Sequence, residues 1–177
     1  MRNSQPKARG FTLLELLIVI AIIAVLGGIA YPVTTSMIAK SREASCLGNL
    51  RSIGVGLQGY LQDNNQRLPT LALGRESKSS PEPVLETVLL PYVGDAEAFH
   101  CPADKEQFGK TGCSYNWNIT QNGLHITEVA FLGIEGRPEA VPLVSDKESW
   151  HPGGTNFLYA DSSSSNKARF ATGSRDN

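Results

Sequence analysis

Cysteine is scarce, with Cys46, Cys101 and Cys113 the chain's only three. So few sulfurs exclude a small fold held by a disulfide framework, and no Cys-x-x-Cys pair or zinc-type Cys/His spacing is present. Histidine is as sparse: His100, His125 and His151 are scattered, and their spacing suggests no metal site, only surface or hydrogen-bonded rings. An excess of positive charge is missing too, since 16 Lys and Arg face 17 Asp and Glu. Composition therefore gives no nucleic-acid binder. A Gly-x-Ser-x-Gly elbow, a phosphate loop and a dinucleotide fingerprint are all absent, so no enzyme class marked by them is expected, nor any enzyme at all.

What is present is one long apolar run. Residues 11–31 contain only Thr12 and Glu15 as polar residues. The length approaches the ~20 residues that cross a bilayer. It exceeds the roughly 7–15 residues of a secretory h-region. Arg2, Lys7 and Arg9 precede it, and Gly28-Ile29-Ala30 imitates a signal-peptidase site. Glu15 argues against an ordinary signal, because a carboxylate inside a membrane span costs roughly 2.5–3.5 kcal/mol and marks function by default. The basic leader would stay cytoplasmic and send the rest outward. Without it the formal charge moves from −1 to −4. Gly27-Gly28 and Pro32 interrupt the run, and a bend is expected at the proline.

From Val33 to about Gln62 the pattern turns amphipathic. Leu47, Leu50, Gly54, Leu57 and Leu61 follow a 3-4-3-4 spacing with Ile53 and Tyr60 beside them, one helical stripe facing a core. Asp63-Asn64-Asn65 ends the helix and Pro69 prevents its return. Residues 66–82 read as loop, and 83–90 as a short helix stopped by Pro91. The remainder reads as strands at 113–119, 125–132, 141–145, 155–160 and 168–171, with 162–166 a turn. Trp117 and Trp150 read as packing residues.

Gly10-Phe11-Thr12-Leu13-Leu14-Glu15, with Pro32 further along, resembles the class III signal of type IV prepilins and type II secretion pseudopilins. The resemblance implies cleavage between Gly10 and Phe11 by a prepilin peptidase, N-methylation of Phe11, and assembly through Glu15 and Pro32. Glu15 would pair with the freed amine of Phe11 on a neighbouring subunit, as against merely snorkelling to the interface. A second set of residues is similar to proteins related to the major pseudopilin: Cys46-Leu-Gly-Asn-Leu-Arg-Ser-Ile-Gly, Phe99-His-Cys-Pro-Ala-Asp104, Ser114-Tyr-Asn-Trp-Asn118 and His151-Pro-Gly-Gly-Thr-Asn-Phe-Leu-Tyr-Ala-Asp161. That group often ends in His, nine residues, then Asp-Gly; here Ser162 stands for the glycine.

These readings imply an α+β pilin-like fold, a long N-terminal helix on a small antiparallel sheet. Its parts would be a leader at 1–10, a membrane helix at 11–31 and an exported domain at 32–177. The implied function is a subunit of a pseudopilus or pilus, held in the bacterial inner membrane as a single-pass protein with an outward domain. Its partners would be the peptidase, other pilin subunits and an assembly platform, with no nucleic acid. The alternatives are a minor pilin with an adhesive or DNA-uptake role, and a membrane-tethered enzyme. One disulfide is expected, Cys101–Cys113 or alternatively Cys46–Cys101. No metal site is expected from spacing; the family's calcium loop would fall near Asp161, with Asp146 and Ser162–Ser165 as further oxygen donors.

Overall fold

The computed structural model describes residues 11–171. Its first element is helix α1, Leu13–Asp63, which continues unbroken through Gly27-Gly28 and Pro32. Two compact units divide between Ile38 and Ala39. In the first, every described side chain is exposed and almost all are apolar. This stretch is long and apolar enough to cross a membrane.

The second unit is α+β. The inner stripe of α1 buries Cys46, Leu50, Ile53, Gly54, Gly56, Leu57 and Leu61. Leu47 is only half-buried, and Cys46 takes the place expected for it. The helix ends where expected: Asn65 and Gln66 take left-handed φ values of 53° and 59°, which break the α-helical path. Helix α2, Leu85–Val93, follows the loop. Pro91 does not stop it, contrary to expectation, and the helix runs on to a left-handed cap at Gly94. Gly56 is where α1 and this segment meet most closely, since a Cβ there would run into Val93.

Helix α3, Gln107–Thr111, leads into strand β1, Tyr115–Trp117. The remaining strands are β2 (Ala130–Phe131), β3 (Ile134–Glu135), β4 (Pro142–Asp146), β5 (Phe157–Tyr159) and β6 (Ser164–Ser165). The main sheet is antiparallel in the order β1-β4-β5-β6, and β2 pairs with β3 apart from it. Trp117, Leu143, Val144 and Leu158 from the sheet join the α1 stripe in one core. This α+β arrangement of long helix and small antiparallel sheet is the expected one. In detail, residues 126–128 form a 3-10 turn where a strand was expected. The expected turn at 162–166 holds β6, and no strand forms at 168–171.

Ser162 shows why its family position favours glycine. It adopts φ 64°, a left-handed conformation that costs a non-glycine residue roughly 1–2 kcal/mol. Its hydroxyl accepts from Gln58 Nε2 at 2.9 Å, which offsets part of that cost. Ser162→Gly should leave stability equal or higher, whereas Ser162→Val should lower it by more than about 1 kcal/mol. Chemical denaturation of the three proteins checks the order.

Candidate functional site

The N-terminal segment presents its chemistry in one helical turn. Thr12 precedes α1, and its backbone N–H and hydroxyl both donate to Glu15 Oε2 at 2.8 Å. Glu15 N–H in turn donates to Thr12 Oγ1 at 3.2 Å. This is a capping box, in which the first and fourth residues of Thr-Leu-Leu-Glu satisfy helix-end donors reciprocally. The box is readable in the sequence as Thr12 followed three residues later by Glu15 before an apolar run. Glu15 thus has a local partner before any neighbouring subunit is considered. Phe11 lies at the end of the same segment and is exposed, while Gly10 lies outside the described residues. At Pro32 the backbone loses a donor, and two hydroxyls add contacts nearby: Thr34 donates to Ala30 O at 2.8 Å and Thr35 to Pro32 O at 3.0 Å.

The profile of the prokaryotic N-terminal methylation motif matches residues 5–31. Among curated proteins the chain is similar to the type IV major pilin protein PilA of Myxococcus xanthus (strain DK1622), 34% identical over 61 residues. The N-terminal part of the chain is type IV prepilin-like or pseudopilin-like. The match to the pilin takes in 34% of this chain and 28% of that protein, so it bears on a part of each. No solved structure matches significantly.

The second unit of this prepilin-like chain holds a second cluster that spacing did not predict. The disulfide joins Cys46 to Cys101 with α-carbons 5.0 Å apart, and Cys113 is a buried free thiol. The preferred pairing of Cys101 with Cys113 is therefore corrected. The reason lies in which side chain meets Cys101. Cys101 N–H donates to Ser114 Oγ at 3.0 Å and Ser114 N–H to Phe99 O at 2.8 Å, so Ser114 lies opposite Cys101. Cys113 instead has its sulfur in contact with the backbone N–H and carbonyl of Tyr115. Burial pushes its thiol well above the usual range.

His151, half of the His-x9-Asp motif, is buried against this bridge, its Nε2 3.3 Å from Cys101 Sγ and 3.7 Å from Asp146 Oδ2. Asp146 Oδ2 accepts the Asn156 N–H at 2.8 Å, while Asp146 Oδ1 and His151 Nδ1 are buried without a partner. Burial raises the Asp146 carboxyl to about 7 and lowers the His151 imidazole, so both lean to the neutral form. Asp161 is elsewhere: exposed, it accepts from Ser163 N–H at 2.9 Å and stands 4.0 Å from Arg169. Among the described residues no hydrogen bond or ion pair joins Asp161 to His151 or Asp146, and of the oxygen donors suggested for calcium the Ser163 hydroxyl is the one that donates to Asp161. His100 stacks on Phe108 and His125 caps the 126–128 turn, ordinary packing and capping roles.

Asp104, from Phe99-His-Cys-Pro-Ala-Asp, organises the loop between Cys101 and Cys113. Its carboxylate accepts the N–H groups of Glu106, Gln107 and Phe108 at 2.8–2.9 Å and the Ser114 hydroxyl at 2.6 Å. Burial alone would raise its pKa, but these four donors outweigh burial and hold it below the usual carboxylate range. Its contribution to stability is therefore full above the unfolded pKa and is lost as pH falls through the lower folded value. Thermal melting of Asp104→Asn should show a lower midpoint at pH 7 and a flatter dependence than the parent's below about pH 4. A parallel dependence would assign the acid sensitivity to another group.

Proposed function

We propose that this chain is a structural subunit of a type IV pilus-like or pseudopilus filament. Cleavage between Gly10 and Phe11 frees a cationic amine at the depth of Glu15, and the peptidase methylates it. The observation that carries the reading is the single carboxylate, Glu15, directly before the apolar and wholly exposed helical run of residues 16–33. So much apolar surface requires lipid or like helices around it. In the membrane, lipid covers it. In a filament, the same segments of neighbouring subunits cover it, and Glu15 of one faces the Phe11 amine of another, which removes the cost of two isolated charges. The outer domain, from about residue 32 onward, sits outside the inner membrane and forms the filament surface. A cytoplasm-driven platform supplies the work of extraction.

The test is fractionation. Cells should show a membrane pool and a sheared extracellular filament fraction, both containing the chain, and deletion of the prepilin peptidase should leave the first and abolish the second. A filament fraction unchanged by that deletion would contradict the reading.

A further inference from the structure

The disulfide and its histidine neighbour form a set of ligands that the filament role does not use. Cys46 Sγ, Cys101 Sγ and His151 Nε2 all lie within 4.8 Å of one another, and all three residues are buried. A tetrahedral zinc ion bound at about 2.3 Å by sulfur and about 2.0–2.1 Å by nitrogen sets its ligand atoms roughly 3.3–3.8 Å apart. The 3.3 Å from His151 Nε2 to Cys101 Sγ falls in that range, and Asp146 Oδ2 lies 3.7 Å from the same nitrogen. Asp146 keeps a second oxygen, Oδ1, buried and unpartnered, and the Asp146 side chain is wholly inaccessible. His151 Nδ1 is likewise buried without a partner, so the cluster keeps polar atoms that the fold itself does not satisfy. A cleft of about 450 Å³ lined by Arg42, Ala103, Trp150 and His151 lies beside the cluster.

We infer that the reduced domain binds one zinc-like divalent cation through the thiolates of Cys46 and Cys101 and His151 Nε2, with the Asp146 carboxyl beside the imidazole. The ion and the disulfide are alternatives, because the sulfur–sulfur bond uses the electron pairs that the metal needs. Passing from one to the other takes two electrons and two protons from a dithiol, which leaves as its own disulfide. The two new thiols then lose their protons as the ion binds. Either state ties α1 to the loop before α3, by a covalent bond or by coordination. Cys113 takes no part, since its thiol contacts Tyr115 instead.

The experiment uses the full chain in detergent, reduced with dithiothreitol, desalted without oxygen and titrated with Co²⁺. One Co²⁺ per chain should bind, with strong thiolate-to-cobalt absorption and the visible bands of tetrahedral coordination, and Zn²⁺ should displace it. The oxidised chain should show neither band. Cys113→Ser should behave like the parent, and His151→Ala or Asp146→Ala should weaken binding at least about tenfold. Zinc should also protect Cys46 and Cys101 from alkylation, read by peptide mass in the unmutated chain, so the test does not depend on any variant's folding. Absence of the thiolate band, equal alkylation with and without zinc, or unfolding of the reduced chain with zinc present would each overturn the site.

Discussion

Glu15→Leu should insert in the membrane as well as the parent and fold its outer domain normally, yet almost vanish from filaments. Leucine removes an intramembrane charge, so insertion becomes no harder. The domain core, with Leu50, Leu57 and Leu158 fully buried, is untouched. On the proposed pairing, assembly loses the counter-ion of the Phe11 amine, and leaving one partner of a buried pair alone costs roughly 3–5 kcal/mol. Filament incorporation, normalised to the membrane pool, should fall at least about a hundredfold. The capping box makes a second variant necessary. Glutamine at this position still accepts from Thr12, so Glu15→Gln keeps the helix start while removing the charge. If charge pairing drives assembly, Gln should fail nearly as badly as Leu. If the carboxylate serves only to begin the helix, Gln should assemble and Leu should not.

The second large effect lies in the disulfide. Cys46 and Cys101 are 55 residues apart, and loop-closure entropy assigns a bridge of that span about 4 kcal/mol. Replacing both by Ala should therefore lower the unfolding free energy of the metal-free chain by roughly 2–5 kcal/mol. Cys113→Ala removes one buried sulfur and should cost about 1 kcal/mol. Non-reducing peptide mapping of the parent should return the fragment pair containing Cys46 and Cys101. A pair containing Cys113, or three free thiols, would contradict the bridge described here.

The helix stripe was legible because burial repeats at the helical period: Leu50, Gly54, Leu57 and Leu61 all face the core, as spacing indicates. The strand segments around Tyr115, Val144 and Leu158 were legible as apolar runs between turns. The disulfide was not, because proximity in sequence favoured Cys113 over Cys46. What decides the pair is Ser114 lying opposite Cys101, a tertiary relation. Asp104 and His151 carry no periodic signal for a similar reason. The partners of Asp104 include a distant hydroxyl on Ser114, and those of His151 are brought to it by β4 and by α1. Pro91 misled in the other direction, since an exposed proline late in a short helix forfeits one bond without ending the turn.

Intact-mass analysis of the chain recovered from sheared filaments tests the central claim most directly. Processing between Gly10 and Phe11 predicts a chain starting at Phe11, carrying one added methyl group and retaining Glu15 five residues into the mature sequence. Replacing Gly10 by a bulky residue should leave the precursor inserted but uncut, because the span itself is unchanged. A chain that starts at Tyr31, or one that keeps Met1, would contradict the account.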